Sequence, residues 1–587
     1  MIRASVFLLS LALTALGELG TTTQVDRLLS SRLHSKSTRI ARRFYDSVGL
    51  YNLTFVHVND VHAHLDQYRT SGTDCDPSSS QCVGGYARIK SKVDEIRVSS
   101  PADTLVLSMG DEFQGTLFYS YYGGEKIAET VNALEFDAMT IGNHEFDGGD
   151  DHLAAYFDNI TSTIPIVSAN IQTKNKALAS HIKPYHVFPE HSLAVIGLTT
   201  IHTKTTSSPS DETEFLDPVE VLQKTVDEIH AKENVDRIVA MTHIGYAEDV
   251  DLAARTRGVH LILGGHSHTL LGDFTEAEGP YPTIQKNLDG EEVFIVTAWR
   301  WGQVFGYINV AFEAGSGGRV LAYEGGPIPM DSATPQDREF QAKVDAWRVP
   351  FDSYAKEVVG WTEGVLDQTL CQKGECVCTL GNLITDAILD YRLGTGGRVD
   401  GAVMNAGGIR ASIPAGNVTR GEIITSFPFS NAVIDLNFTA KELWDMFEGI
   451  VSWRNSADKE VTSFVQVSRG IAFSYAPSLP IGRRLRTLSI SGKPVDPHSE
   501  GETYVISTID FIASGGDGFL NPPKKPATAP LNTLDAVLMD YISAHTPYTP
   551  FTEGRISKVF SRSAVAAGDE QMYVETCYGR RCRDLRE

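Results

Sequence analysis

Leu53-Thr54-Phe55-Val56-His57-Val58 runs directly into Asn59-Asp60-Val61-His62, and this junction between an apolar, β-branched run and ligand-type side chains decides the reading of the fold. The junction recurs at Gly110-Asp111, at Gly142-Asn143-His144-Glu145, at His243 and at Gly264-Gly265-His266-Ser267-His268. Short apolar runs of this kind read as buried parallel strands, and ligands in α/β sheets gather beyond the carboxyl ends of strands. Asp, Asn and His supply the oxygen and imidazole donors that suit zinc or manganese. The expectation is a two-metal hydrolase site along one sheet edge.

Working outward, the runs Thr104 to Ser108, Ala138 to Ile141, Ile164 to Ser168, Leu193 to Leu198, Arg237 to Met241, His260 to Leu263 and Val293 to Thr297 alternate with helical stretches, which is α/β patterning. Around Ser332 to Val358 the pattern turns charged with apolar residues near helical spacing, reading as a bridging helix. A second domain follows to Ile556, with a helix at Leu380 to Tyr391 and strands at Ala402 to Met404, Ala432 to Phe438 and Thr503 to Thr508. The expected organisation is therefore a first domain over 51–330, a linker over 331–358, a mixed α/β domain over 359–556 and a tail over 557–587.

The chain has 587 residues, too many for one core, and its 42% hydrophobic and 21% charged residues are those of a globular protein. Met1 to Gly17 carries a lone Arg3, an apolar Val6 to Leu13 stretch and a small-residue end, the layout of a secretory signal peptide and too short for a membrane anchor. Residues 18–50, with Arg42-Arg43, read equally as a pro-segment or a surface helix. Glycosylation acceptors at Asn52, Asn159, Asn417 and Asn437 fit export to the extracellular space. Seven cysteines cluster as Cys75/Cys82, Cys371/Cys376/Cys378 and Cys577/Cys582, which predicts three short-loop disulfides and one leftover thiol rather than zinc ribbons.

A net charge of -23 repels polyanions and excludes nucleic-acid polymers as partners. The C-terminal end lacks the apolar tail of a lipid-anchor signal, so no stable membrane anchor is expected. A small anionic substrate needs local positive charge instead. Two divalent ions carry four positive charges and Asp60 plus Asp111 cancel two, leaving a site fit for a phosphate dianion and an activated water. Asp60 and His62, and again His266 and His268, are two residues apart, so strand-end alternation would point each pair to one side. Asp111 would bridge two ions about 3.5 to 4 Å apart, as in two-metal phosphoryl transfer. No Gly-x-Ser-x-Gly elbow is present, which leaves water as the expected nucleophile.

The ordered motifs resemble those of the calcineurin-like metallophosphoesterases, and Asn405-Ala-Gly-Gly-Ile-Arg410, Phe427-Pro-Phe429 and Asp510-Phe511-Ile-Ala-Ser-Gly-Gly-Asp517 narrow the resemblance to the 5'-nucleotidase family, over Leu53 to Ile556. The resemblance implies a β-sandwich with flanking helices for the first domain and a substrate-binding second domain. It implies Asp60, His62, Asp111 and His268 at one metal, and Asp111, Asn143, His243 and His266 at the other. The ions would be zinc, with manganese, magnesium or calcium as alternatives; His268 stands where some members have Asn or Gln.

The same resemblance makes His144 and Asp147 a catalytic dyad, assigns Asn405 and Arg410 to substrate, and sets Phe429 and Phe511 around a nucleobase with Asp517 on the ribose. Where many relatives carry a further phosphate-binding Arg, near Cys371, this chain offers only Lys373. The implied activity is that of a secreted 5'-nucleotidase acting on nucleoside 5'-monophosphates such as AMP. An apyrase or UDP-sugar hydrolase is the enzymatic alternative, and a non-catalytic nucleotide-binding protein the other. Nothing in the sequence speaks to oligomeric state.

Overall fold

A computed structural model describes residues 50–562 except 71, 76–80, 101, 276, 314, 316–317, 370–376, 430 and 530, together with the backbone of 571–575. The first domain is built on two facing sheets. One has seven strands, in the order Val320–Pro329, Val304–Glu313, Leu50–Val58, Asp103–Ser108, Ala138–Thr140, Ile166–Val167 and Ile182–Lys183. The other has six, in the order Thr283–Lys286, Glu292–Thr297, Leu261–Gly264, Arg237–His243, Leu193–Thr199 and Tyr185–Phe188. The centre of each sheet is parallel; antiparallel strands close both edges of the six-stranded sheet and one edge of the seven-stranded sheet, whose other edge strand, Ile182–Lys183, pairs parallel with Ile166–Val167.

The continuous apolar runs follow from burial on both faces of these strands. Along Leu50–Val58, Leu53 and Phe55 point between the sheets while Val56 and Val58 meet the helices outside. Along Arg237–His243, Val239 and Met241 enter the inter-sheet core, and Ile238 and Ala240 pack under the outer helices. A one-residue slip would exchange these faces, so the register is fixed by two cores at once.

The bridging helix is Arg338–Ala355, started by Asp337, whose side chain accepts from the Phe340 N–H at 2.7 Å. Its buried stripe of Phe340, Val344, Trp347, Phe351 and Ala355 repeats every three or four residues. The stripe faces helices Tyr86–Ser99 and Leu117–Tyr122 of the first domain, and helix Arg420–Ser426 of the second packs on it as well. The helix is thus held from both sides.

In the second domain, strands Val433–Thr439, Thr503–Ile509, Gly401–Asn405 and Val465–Val467 form one sheet, with helix Thr379–Gly394 against Gly401–Asn405. A second sheet orders Lys493–Pro494, Leu485–Ile490, Ile471–Tyr475, Ile556–Arg562 and Gln571–Glu575. Most of Ile556–Arg562 and all of Gln571–Glu575 fall in the stretch read from sequence as a tail. Pairing with Phe473 to Tyr475 and between the two strands themselves makes it part of the sheet, a long-range partnership that local pattern does not encode.

Cys75 and Cys82 form the expected disulfide. Cys378 is also disulfide-bonded, while Cys371, Cys376, Cys577 and Cys582 lie outside the described residues, as do the signal-peptide stretch 1–17 and residues 18–49. Among the described residues no helix is long and apolar enough to cross a membrane.

Candidate metal centre and substrate cleft

The ligand-type residues follow strands of both sheets. Asp60 and His62 come after Leu50–Val58, Asp111 after Asp103–Ser108 and Asn143 after Ala138–Thr140, all in the seven-stranded sheet. His243 ends Arg237–His243, and His266 and His268 follow Leu261–Gly264, in the six-stranded sheet. The expectation of a single sheet edge is corrected: the site closes across the open end of the sandwich, because the parallel strands of both sheets point their carboxyl ends the same way.

The i, i+2 argument is also corrected. Asp60, His62, Asp111, His266 and His268 have φ of 53, 52, 56, 80 and 50°, the left-handed region rather than extended strand. Side chains converge because the backbone coils back on itself after each strand. Such conformations cost energy and persist where the surroundings over-determine them. Here Asp60 N donates to Gly110 O at 3.0 Å and His62 N to Asp111 O at 2.9 Å, lacing the first two loops together.

Glu145, to which the sequence motif alone gives no role, holds that lacing in place. Its carboxylate accepts from the N–H groups of Asp111, Glu112, Phe113 and Gly142 at 2.9, 2.7, 3.2 and 2.6 Å. A Cβ on Gly142 would fall 2.2 Å from Asp111 Oδ1, so only glycine lets the two loops approach this closely.

The ligand atoms gather in two groups, Asp60 with His62 and His268, and Asp111 with His243 and His266. Asp111 Oδ2 lies 3.1 Å from His243 Nε2 and 3.7 Å from His62 Nε2, and so reaches both groups. Asp60 Oδ1 stands 3.3 Å from His268 Nε2. Nδ1 of His62 faces Phe113 O at 3.0 Å and Nδ1 of His243 faces Met109 O at 2.7 Å, contacts that leave each Nε2 as the ligand atom.

Divalent metal ions fit this donor set. Asp60 Oδ1, Asn143 Oδ1 and His243 Nε2 are buried and make no hydrogen bond among the described residues, an arrangement costly unless a cation satisfies them. Burial, reinforced by His243, pushes His266 down to about 3, and burial pushes His268 down to about 4, which keeps both imidazoles neutral as ligation requires. At His243 burial opposes protonation, yet Asp111 and Asp60 outweigh it and raise its pKa to about 10.

Beside the metal group, His144 Nδ1 pairs with Asp147 Oδ2 at 2.8 Å within the turn His144–Phe146. Asp147 is itself fixed, accepting from Gln114 Nε2 at 3.0 Å and from Ser207 Oγ at 2.6 Å. Burial alone would depress His144, but Asp147 and Asp111 outweigh it and raise its pKa.

The second domain delivers Arg410, whose Nη2 lies 3.1 Å from His62 Nε2. A cavity of about 470 Å³ between the domains is lined by Asp111, Asn143, His144, His266 and His268 on one side and by Asn405, Arg410, Phe429, Phe511 and Asp517 on the other. Asn405 Nδ2 donates to Asp517 Oδ2 at 2.6 Å, and Thr462 Oγ1 to Asp517 Oδ1 at 3.0 Å. Phe511 lies so close over Gly516 that a Cβ there would meet its ring at 2.4 Å. Phe429 stacks on His144, with ring centroids 5.6 Å apart and planes at 27°. Both rings of the expected pair line the cavity, with Phe429 reaching the dyad. Lys373 lies outside the described residues.

A sandwich whose strand ends assemble two carboxylate–imidazole groups beside a His–Asp pair defines a metal-dependent phosphoesterase. Residues 53–270 match the family model of calcineurin-like phosphoesterases, and residues 358–522 that of the 5'-nucleotidase C-terminal domain. Human 5'-nucleotidase is 33% identical over 539 residues, 87% of this chain and 92% of the relative. The snake venom 5'-nucleotidase of Naja atra is 32% identical, covering 88% of this chain and 100% of the relative. The crystal structure of a 5'-nucleotidase precursor from Thermus thermophilus matches with a TM-score of 0.77 at 34% identity, over 86% of this chain and 99% of that one. The chain belongs to the 5'-nucleotidase family.

Proposed function

We propose that this protein hydrolyses nucleoside 5'-monophosphates to nucleoside and phosphate. The observation that carries the reading is the cleft in which the metal-type groups and the His144–Asp147 pair of one domain face Arg410 and two aromatic rings of the other. Asp60, His62, Asp111 and His268 would hold one divalent ion, and Asp111, Asn143, His243 and His266 a second. Two such ions, when bound, polarise phosphoryl oxygens and make water a nucleophile at neutral pH.

The residues around them divide the remaining work. Arg410 forks onto the phosphate oxygens, and Asn405, hydrogen-bonded to Asp517, is a further substrate contact. Phe429 and Phe511 enclose the base, whose π face any nucleobase offers, and Asp517 receives ribose hydroxyls. His144 holds a proton at Nε2 while Nδ1 is anchored to Asp147, and it stabilises charge on the phosphoryl group or hands that proton to the departing 5'-oxygen as water adds to phosphorus. Lys373 would supplement the phosphate contacts.

Zinc is the metal proposed, from the mixed carboxylate–imidazole donors. Export is proposed from the Met1 to Gly17 pattern, supported by the Cys75–Cys82 disulfide and by exposed acceptor asparagines at Asn159, Asn417 and Asn437. Domain boundaries near 51–330, 331–358 and 359–556 stand as part of the same reading.

Phosphate release from AMP, ADP and ATP, and UMP release from UDP-glucose, each with and without chelator, test it. Chelator-sensitive release from AMP is expected. Faster release from ADP, ATP or UDP-glucose would move the assignment to an apyrase or nucleotide-sugar hydrolase, and release from none would overturn it.

A further inference from the structure

One more polar motif follows an apolar strand end. Glu292–Thr297 runs into Ala298-Trp299-Arg300-Trp301, and Arg300 lines the same cavity as Arg410, His268 and Asn143. Its backbone is tied to the first ligand loop: Ala298 N donates to Asn59 Oδ1 at 2.7 Å, Asn59 Nδ2 to Trp299 O at 2.6 Å and Trp301 N to Asp60 O at 2.7 Å. Trp299 and Trp301 both adopt left-handed φ, 56 and 58°, which is unusual for so bulky a residue and marks a constrained turn.

The guanidinium is held as firmly. It lies over the Trp301 ring at 4.0 Å from the centroid and 5.8 Å from that of Trp299, and buried Trp301 is in turn stacked on His64 at 4.9 Å. Two guanidinium groups therefore face one cleft, Arg300 from the first domain and Arg410 from the second. Burial first, and Arg410 next, push Arg300 down to about 10, so it stays charged at neutral pH beside a like charge. That repulsion is relieved when an anion enters between them.

We propose that Arg300 is a specificity-determining residue that binds the substrate's phosphate oxygens opposite Arg410, so that the phosphate is gripped from both domains. This chain has no arginine near Cys371, and Arg300 supplies a second fork from the other domain. The product, inorganic phosphate, is held by the same pair. The inference rests on the nucleotidase reading for its substrate, but not for its phosphate subsite.

The test uses the metal-loaded full chain, with Arg300→Gln and Arg300→Lys. Calorimetric binding of inorganic phosphate should weaken about tenfold in Arg300→Gln, equivalent to about 1.4 kcal/mol, and by less in Arg300→Lys, which keeps the charge and loses the fork. With AMP, KM should rise by a similar factor while kcat changes by less than about threefold. Circular dichroism and metal content show that each variant is folded and loaded, and Arg300→Lys carries the test should Arg300→Gln not fold. Wild-type phosphate affinity in a folded, loaded variant overturns the proposal. Because phosphate binding is read without turnover, absence of AMP hydrolysis would sink the nucleotidase reading while leaving this result interpretable.

Discussion

His144 is placed for proton handling by a chain of contacts, Gln114 and Ser207 to Asp147 and Asp147 to the imidazole. Its ring is hydrogen-bonded to Asp147 and only packs edge-on against His62 among the metal-type residues, at 5.2 Å between centroids. His144→Ala should therefore lower kcat by about 10²- to 10⁴-fold with metal content unchanged by atomic absorption, and loss of metal would recast the residue as structural. Glu145 should behave in the opposite way. Glu145→Gln turns an NH₂ toward two of the backbone N–H groups that the carboxylate now satisfies, at about 1 to 3 kcal/mol for each one left unpaired. We expect a lower unfolding midpoint and weaker metal retention on dialysis; wild-type values for both would remove Glu145 as the support of the Asp111 loop.

At this scale the ligand identities were legible, since Asp, Asn and His at the ends of apolar runs have few other reasons to recur in that order. Glu145 was not. Its neighbours in space are backbone N–H groups up to 34 residues away, which composition and spacing do not reveal. Arg300 also follows a strand end, that of Glu292–Thr297, but arginine is not a metal donor and so leaves no such signature in the sequence.

Among the elements, helix Arg338–Ala355 matters most for how the cleft works. It is started by Asp337 and packed on helices of both domains, so any relative rotation of the domains must pass through its contacts. A Cβ on Gly421 would lie 3.1 Å from Ala355 Cβ, near disulfide reach. The pair Ala355→Cys and Gly421→Cys, oxidised, should suppress turnover of AMP and recover on reduction if substrate entry and product release need that rotation. Equal rates in the two redox states would refute domain rotation at this joint.

The same helix shows what element-scale sequence reading achieves. Its stripe is visible as helical spacing after a proline-containing stretch, but its ends differ from the expected 331–358 by a few residues because caps such as Asp337, not hydrophobic period, set them. The positions of the buried parallel strands were equally accessible as continuous apolar runs, but their register was not, since burial on both faces leaves no alternation to read. The strand Ile556–Arg562 is not legible past its first residue, since a short strand with polar residues resembles a tail until its partners Phe473 to Tyr475 and Gln571–Glu575 are known.

Across the whole molecule, charge is distributed against the average. The chain is acidic, with a net charge of -23, yet its cleft gathers Arg300, Arg410 and residue groups that could hold divalent cations. Asp60, buried behind that cleft, lies close to Asp111 on its wall, and a bound cation relieves their repulsion, so metal is expected to stabilise the native state. Chelation should lower the thermal midpoint and excess divalent metal should restore it, since a ligand at 100 times its Kd adds about 2.7 kcal/mol. A midpoint indifferent to chelator would argue against metal ions resident at these residues.

The sequence by itself determined the α/β alternation, the order of the strands that end in ligand-type residues and the identity of those residues, because buried runs and donor chemistry both leave local signatures, whereas the sandwich layers and the cleft residues Asn405, Arg410, Phe429, Phe511 and Asp517 were reached only through family resemblance. Tertiary structure alone decided how those groups meet. The ligand loops come from two sheets rather than one edge, five ligand residues turn through left-handed backbone instead of strand alternation, and Arg410 crosses from the other domain to within 3.1 Å of His62. Each is a contact between residues far apart in the chain, fixed by how whole sheets and domains pack. Periodicity along the chain carries no record of that packing.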